Sequence, residues 1–193
     1  MNLPNALTLL RVLLIPVFIL FLSSYTPFNL TLGTRAMAAT GIFFIASITD
    51  WLDGYIARRT GQITKLGKLF DPIADKLLTS SALILLVSLH GQVPAWIVIV
   101  IIGREFAVTG LRAAASSEGY VIPAAEGGKA KMVFQTIAII ALLLDLGVKF
   151  AYLDMFWIGI VSLWISMLLA VISGVQYFVE YWDKIGLSGE GGQ

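Results

Sequence analysis

The chain has 193 residues, of which 58% are hydrophobic and 13% charged, and its mean hydropathy is +0.88. Soluble domains carry about 25% charged residues, so this composition excludes a disordered chain, a fibrous repeat and an ordinary water-soluble globule. The 13 basic and 12 acidic residues leave a net charge of +1, which gives no reason to expect nucleic acid, and the lack of cysteine excludes disulfides and thiolate metal sites.

A bilayer-spanning helix needs about 20 predominantly apolar residues. The first such run goes from Ala6 to Ser23, broken only by Arg11 and carrying Pro16. A signal peptide is disfavoured, because the basic flank is one arginine inside the run and no small-residue cleavage site follows. Pro27, Asn29 and Gly33 make a loop. The second run starts at Ala36, and its uncharged part ends at Thr49 after 14 residues. To cross a bilayer this helix must continue to about Arg58, carrying Asp50 and Asp53 with it. Gly61 marks a short turn. The third run covers about Lys68 to His90, with Asp71, Asp75 and Lys76 in its first two turns. The fourth spans Val93 to about Ala115 and contains Arg104, Glu105 and Arg112. Ser116 to Gly128, with Pro123 and three glycines, reads as a loop. The fifth runs from Lys129 to about Leu146. The sixth, Met155 to Val179, is 25 uncharged residues. The expectation is an all-α polytopic membrane protein with six transmembrane helices, forming one domain over 1–193 with a flexible tail from about 185.

Six crossings put both termini on one side, and flanking basic residues choose which. Arg58, Arg59, Lys65, Lys68, Lys129, Lys131 and Lys184 share the side of the termini, against Arg35 and Lys149 on the other. That asymmetry predicts cytoplasmic termini.

Asp50 and Asp53 are three residues apart and Asp71 and Asp75 four apart, so each pair falls on one helix face. Antiparallel helices joined by a short turn would bring all four carboxylates to one depth near the cytoplasmic interface. Like charges so close push carboxylate pKa values up, and two divalent ions would balance them. Oxygen ligands without nearby His or Cys favour Mg²⁺ or Mn²⁺ over zinc. A carboxylate-bridged metal pair suits in-line displacement at phosphorus, and a carboxylate could take the proton of an attacking hydroxyl. Gly54 and Ala57 keep the adjoining face low, Arg58 has the planar fork that grips phosphate, and Thr64 offers a hydroxyl. The plainer reading of these aspartates is helix capping and interfacial polarity. Arg59 reads as a positive-side anchor, Asp145, Asp154 and Lys149 as loop caps, and His90 as non-catalytic, since it ends its helix far from the carboxylates.

Asp50-Trp-Leu-Asp53-Gly54-Tyr-Ile-Ala57-Arg58, eight residues, Gly67, three residues, Asp71, three residues, Asp75 resembles the signature of the CDP-alcohol phosphotransferases, D-x2-D-G-x2-A-R-x8-G-x3-D-x3-D. All eight fixed residues are present over 26 positions. The resemblance implies six transmembrane helices, a homodimer, and transfer of a phosphoryl-linked group from a CDP-activated substrate to an alcohol, with release of CMP. It implies that Asp50, Asp53, Asp71 and Asp75 bind two metals and that Asp75 is also the general base. Gly54, Arg58, Thr64 and Gly67 would contact the CDP-lipid, and Asn5, in Pro4-Asn5-Ala6-Leu7-Thr8, would approach the nucleotide.

The segment Gly103-Arg104-Glu105-Phe106-Ala107-Val108-Thr109-Gly110-Leu111-Arg112, with Gly128-Lys129-Ala130-Lys131, is similar to bacterial members that join CDP-diacylglycerol to glycerol 3-phosphate in the inner membrane. Physics agrees with an anion here. Arg104 and Glu105 sit mid-span, where an unpaired charge is expensive, so they should face each other or a polar cavity. Glu105, Thr109 and Arg112 fall on one stripe, and Arg104, Arg112, Lys129 and Lys131 could bind the acceptor phosphate. The competing expectations are another acceptor (inositol phosphate, serine or phosphatidylglycerol) and, from a different class, a divalent-cation transporter.

Overall fold

The computed structural model describes the backbone of residues 3–23, 27, 29–60, 65–117, 119, 126–148 and 152–189. Side chains are described for 9–23, 27, 29–49, 73–117, 119, 128–148 and 152–181. The described residues form six α-helices and no strand: α1 (Leu3–Leu22), α2 (Leu32–Thr60), α3 (Lys65–His90), α4 (Ala95–Ser117), α5 (Glu126–Gly147) and α6 (Met155–Gly189). This is the all-α polytopic architecture that the apolar runs imply.

Among the described residues, four helices contain stretches long and apolar enough to cross a bilayer by themselves: Leu32–Thr49, Ile73–His90, Gly128–Gly147 and Met155–Tyr181. Among the described side chains of α1 the apolar stretch is Leu9–Leu22, while α4 carries Arg104, Glu105 and Arg112 along its length. The helix termini have local causes. Thr31 Oγ1 accepts from the Thr34 amide at 3.3 Å and caps α2, and Asp154 Oδ1 accepts from the Trp157 amide at 3.3 Å and caps α6. At the end of α3, Gly91 takes φ +63° and its amide donates to the Val87 carbonyl at 3.2 Å; this left-handed turn favours glycine.

Two helices are longer than the apolar counts suggest. α2 continues through the acidic segment to Thr60, as a full crossing requires. α6 runs ten residues past Val179 to Gly189, because an apolar count measures the bilayer and not the helix. No helix breaker occurs between Val179 and Gly186, so the helix continues through Glu180, Asp183 and Lys184. The loop expected over 116–128 is shorter, with Ser117 ending α4 and Glu126 opening α5. Of the expected turn and tail, 61–64 and 190–193 lie outside the described residues.

The chain divides into two compact units, Met1–Val93 with Ile139–Ile160, and Pro94–Ala138 with Val161–Gln193. In the first unit α1 packs on α2 and α3. Phe18 of α1 and Phe43 of α2 meet with ring centroids 6.1 Å apart, and Ala36, Ala39, Ala46, Ala74 and Ala82 are fully buried. Small residues serve this packing because lipid gives no hydrophobic drive between helices, leaving close van der Waals contact to hold them. A Cβ on Gly147 would fall 2.8 Å from Met37 Cγ, and one on Gly159 would fall 2.5 Å from Leu142 Cγ. Large apolar side chains such as Leu13, Phe44 and Ile84 face outward, the inverse of a water-soluble core.

The second unit is built from α4, the first half of α5 and most of α6. Val108, Ala115 and Tyr177 form a buried cluster joined by Leu111 and Tyr181, and Trp96 meets Trp164 edge to face at 5.3 Å.

Candidate functional site

The acidic motif lies on two helix segments of the first unit. Asp50 and Asp53 occupy α2 ten and seven residues before its last residue, Thr60. Asp71 and Asp75 occupy α3 six and ten residues after its first residue, Lys65. At 1.5 Å of rise per residue, each pair spans the same interval, about 10 to 15 Å from the helix end nearest the connecting turn. Gly54 and Arg58 follow on α2, and Gly67 lies one turn before Asp71 on α3. Asn5 falls in α1. The side chains of Asn5, Asp50, Asp53, Arg58 and Asp71, and the whole of Thr64, lie outside the described residues.

Asp75 is described and is half-buried. Its carbonyl accepts a hydrogen bond from Thr79 Oγ1 at 2.9 Å, a local bond that ties this turn of α3. Of the four motif aspartates, Asp75 alone has its side chain among those described, and among the described residues no group of three or more His, Cys, Asp or Glu could hold a metal ion.

The other charged group lies in the second unit and spans three helices. Glu105 Oε1 accepts from Arg104 Nη1 at 2.8 Å and from Lys131 Nζ at 2.5 Å. The three side chains are 12%, 19% and 3% exposed for Arg104, Glu105 and Lys131. Arg104 also donates from Nε to the Ala170 carbonyl at 3.0 Å and from Nη2 to Ser173 Oγ at 2.8 Å. Its guanidinium lies 5.7 Å from the ring centroid of Tyr177, within cation–π range. A Cβ on Gly174 would approach Arg104 Cγ to 3.1 Å, so glycine there makes room for the arginine stem. Ala170, Ser173, Gly174 and Tyr177 follow helical spacing and form one stripe that receives Arg104.

The expectation that Arg104 and Glu105 face each other therefore holds, and Lys131 joins them. Arg112 and Lys129 are exposed and have no ion-pair partner among the described residues. Thr109 bonds its own helix, donating from Oγ1 to the Glu105 carbonyl at 2.7 Å. The seat for Arg104 on α6 was not foreseen. Its trace in the sequence is Ser173, Gly174 and Tyr177 at helical spacing in an uncharged span.

His90, at the far end of α3 from the carboxylates, is packed away from them. Its Nε2–H donates to the Leu142 carbonyl at 2.8 Å, its Nδ1 lies 3.9 Å from Asp145 Oδ2, and Phe156 stacks at 5.6 Å. Asp145 differs from the expected loop cap: it sits in the last turn of α5 and faces His90. Asp154 does cap a helix.

The family described as CDP-alcohol phosphatidyltransferase matches residues 1–172. A Bacillus subtilis (strain 168) protein named CDP-diacylglycerol–glycerol-3-phosphate 3-phosphatidyltransferase is 44% identical over 97% of this chain and 98% of its own length. A Pseudomonas fluorescens protein of the same name is 40% identical over 98% of this chain and 94% of its own. A Mycobacterium tuberculosis protein named probable phosphatidylglycerophosphate synthase is 40% identical over 96% and 84%. With a match across both units and similarity over nearly the whole length, the chain belongs to the CDP-alcohol phosphatidyltransferase family.

Proposed function

We propose that this phosphatidyltransferase moves the phosphatidyl group of CDP-diacylglycerol to glycerol 3-phosphate, giving phosphatidylglycerol phosphate and CMP. The observation that carries the reading is the complete D-x2-D-G-x2-A-R-x8-G-x3-D-x3-D pattern on α2 and α3, in a chain whose relatives bear the name of that reaction over nearly their full length.

In this reading Asp75 accepts the proton of the attacking glycerol hydroxyl. The hydroxyl oxygen bonds to the lipid-proximal phosphorus, and the bond from that phosphorus to the bridging oxygen breaks, so CMP leaves with the electron pair. Asp50, Asp53, Asp71 and Asp75 would hold two Mg²⁺ or Mn²⁺ ions, which when bound supply positive charge at the pyrophosphate. Gly54 and Gly67 leave room for the head group, Arg58 and Thr64 donate to its phosphates, and Asn5 contacts the nucleotide. Arg112, Lys129 and Lys131 supply cations for the acceptor phosphate, beside the firmly held Arg104.

The lipid tails remain in the bilayer while the head group meets the polar helix ends. Basic residues crowding the side of the acidic segment support cytoplasmic termini and reaction at the inner face of a bacterial cytoplasmic membrane. The chain acts as one functional domain, and the family resemblance suggests a homodimer. The test is CMP release by purified protein in detergent with CDP-diacylglycerol, Mg²⁺ and each of several labelled acceptors. Labelled product is expected with glycerol 3-phosphate. Product only with inositol phosphate, serine or phosphatidylglycerol would overturn the acceptor, and metal flux in proteoliposomes without CMP release would overturn the reaction.

A further inference from the structure

Arg11 is the charge that interrupts the first apolar run, and the proposed reaction gives it no part. It stands in the interior of α1 and is only 1% exposed. A guanidinium keeps its charge at any ordinary pH, and a charge buried within a membrane protein faces a partner or a polar cavity. Arg11 does take part in an interaction there, and the register of the helices points to which group it serves.

The buried stripe of α1 is Arg11, Ile15, Phe18 and Leu22, at intervals of four, three and four, and it continues past Pro16. On α2 the buried stripe is Ala36, Ala39, Phe43 and Ala46, at intervals of three, four and three. The same alternation, carried on along a helix that extends to Thr60, arrives at positions 50 and 53. The two stripes meet, since α1 packs on α2 and Phe18 and Phe43 have ring centroids 6.1 Å apart. Arg35 Nη1 also donates to the Ser23 carbonyl at 2.8 Å, so the end of α1 lies beside the start of α2 and the helices run antiparallel. Arg11 is seven residues before Phe18, and Asp50 is seven residues after Phe43. Two turns along each helix, about 10 Å toward the same end, therefore bring positions 11 and 50 into the register that Phe18 and Phe43 occupy.

We propose that Arg11 is a positioning residue whose guanidinium holds the Asp50 carboxylate across the seam between α1 and α2, so that the acidic motif carries one resident cation of its own. A planar guanidinium fork fixes both the place and the orientation of a carboxylate, and it leaves lone pairs on the carboxylate oxygens for a second partner. The resident charge also relieves part of the repulsion among the four aspartates. This deepens the proposed function and rests on its placing of Asp50 at the reacting centre, whereas the pairing itself is read without turnover.

The test is the denaturation midpoint of the full-length protein in detergent without added divalent cations, followed by steady-state kinetics with Mg²⁺. Arg11→Met keeps an apolar stem but strands the carboxylate, and it should lower the midpoint by about 8 °C. Adding Asp50→Asn removes the stranded charge and should recover about half of that loss or more. Asp53→Asn or Asp71→Asn on the same background should recover less than about a quarter. In wild type, Asp50→Asn should not raise the midpoint, because there it removes the partner of Arg11. Arg11→Lys retains the charge without the fork and should lose about half as much as Arg11→Met. In turnover, Arg11→Met should lower kcat about tenfold while the KM for glycerol 3-phosphate stays within about twofold. If Arg11→Met does not fold, Arg11→Met/Asp50→Asn should, and failure of that double variant would overturn the pairing. So would no recovery with Asp50→Asn, or equal recovery with Asp53→Asn or Asp71→Asn; an unchanged kcat would overturn the positioning role. Wild type without CMP release would refute the proposed function instead, and the midpoints would still decide whether Arg11 holds Asp50.

Discussion

The two charged regions of this molecule balance their charges in opposite ways. On α2 and α3, four aspartates of one sign lie within 26 residues. On α4 and α5, Glu105 stands between Arg104 and Lys131, and α6 supplies a carbonyl, a hydroxyl and an aromatic face to the arginine. A mixed-sign cluster can satisfy most of its hydrogen bonds from within and needs its neighbours for stability. A like-sign cluster cannot, because gathered carboxylates repel unless cations are supplied. The difference fits the proposed reading, in which the aspartates serve ligands and reaction, whereas the ionic group on α4 and α5 ties helices together.

Substitutions should separate the two. The largest effect is expected at Asp75: Asp75→Asn keeps the shape of the side chain but removes the proposed base, so turnover should fall by about 10³-fold or more. Its helix content and denaturation midpoint should stay near wild type. Wild-type turnover would refute the base and weaken the contrast between the regions. Arg104→Ala should act the other way round, removing a buried partner of Glu105 and emptying the seat on α6. A loss of about 3 kcal/mol is expected, measured by denaturation in detergent. Exposed Arg112→Ala and Lys129→Ala should leave the midpoint unchanged, and equal losses for all three would show that the buried cluster holds nothing in particular. The smallest effect sets the scale for a position in neither region. Gly91 has φ +63° with open space around it, so Gly91→Ala should cost about 1 kcal/mol by backbone strain alone, without altering kinetics.

Asp50, Asp53, Asp71 and Asp75 were legible as a group because their spacing is local: three residues, four residues and one short turn. The helices themselves were legible wherever apolar length was the criterion, though α6 outran it, since its charged extension contains no early breaker. Asp145 was misread for a different reason: its place beside His90 depends on where α3 ends against α5, which neither helix encodes by itself.

By itself the sequence determined that the chain is a helical membrane protein and which helix ends carry the acidic motif. These follow from composition, from periodicity and from a pattern contained in 26 consecutive positions. Only the tertiary structure decided that Lys131 meets Glu105, and that Ala170, Ser173, Gly174 and Tyr177 receive Arg104. Those contacts join residues as far apart as 104 and 177, and no local periodicity encodes which face of one membrane helix packs against which face of another. In a chain of 25 charged residues, local spacing revealed the aspartates, and packing revealed how Arg104, Glu105 and Lys131 are held.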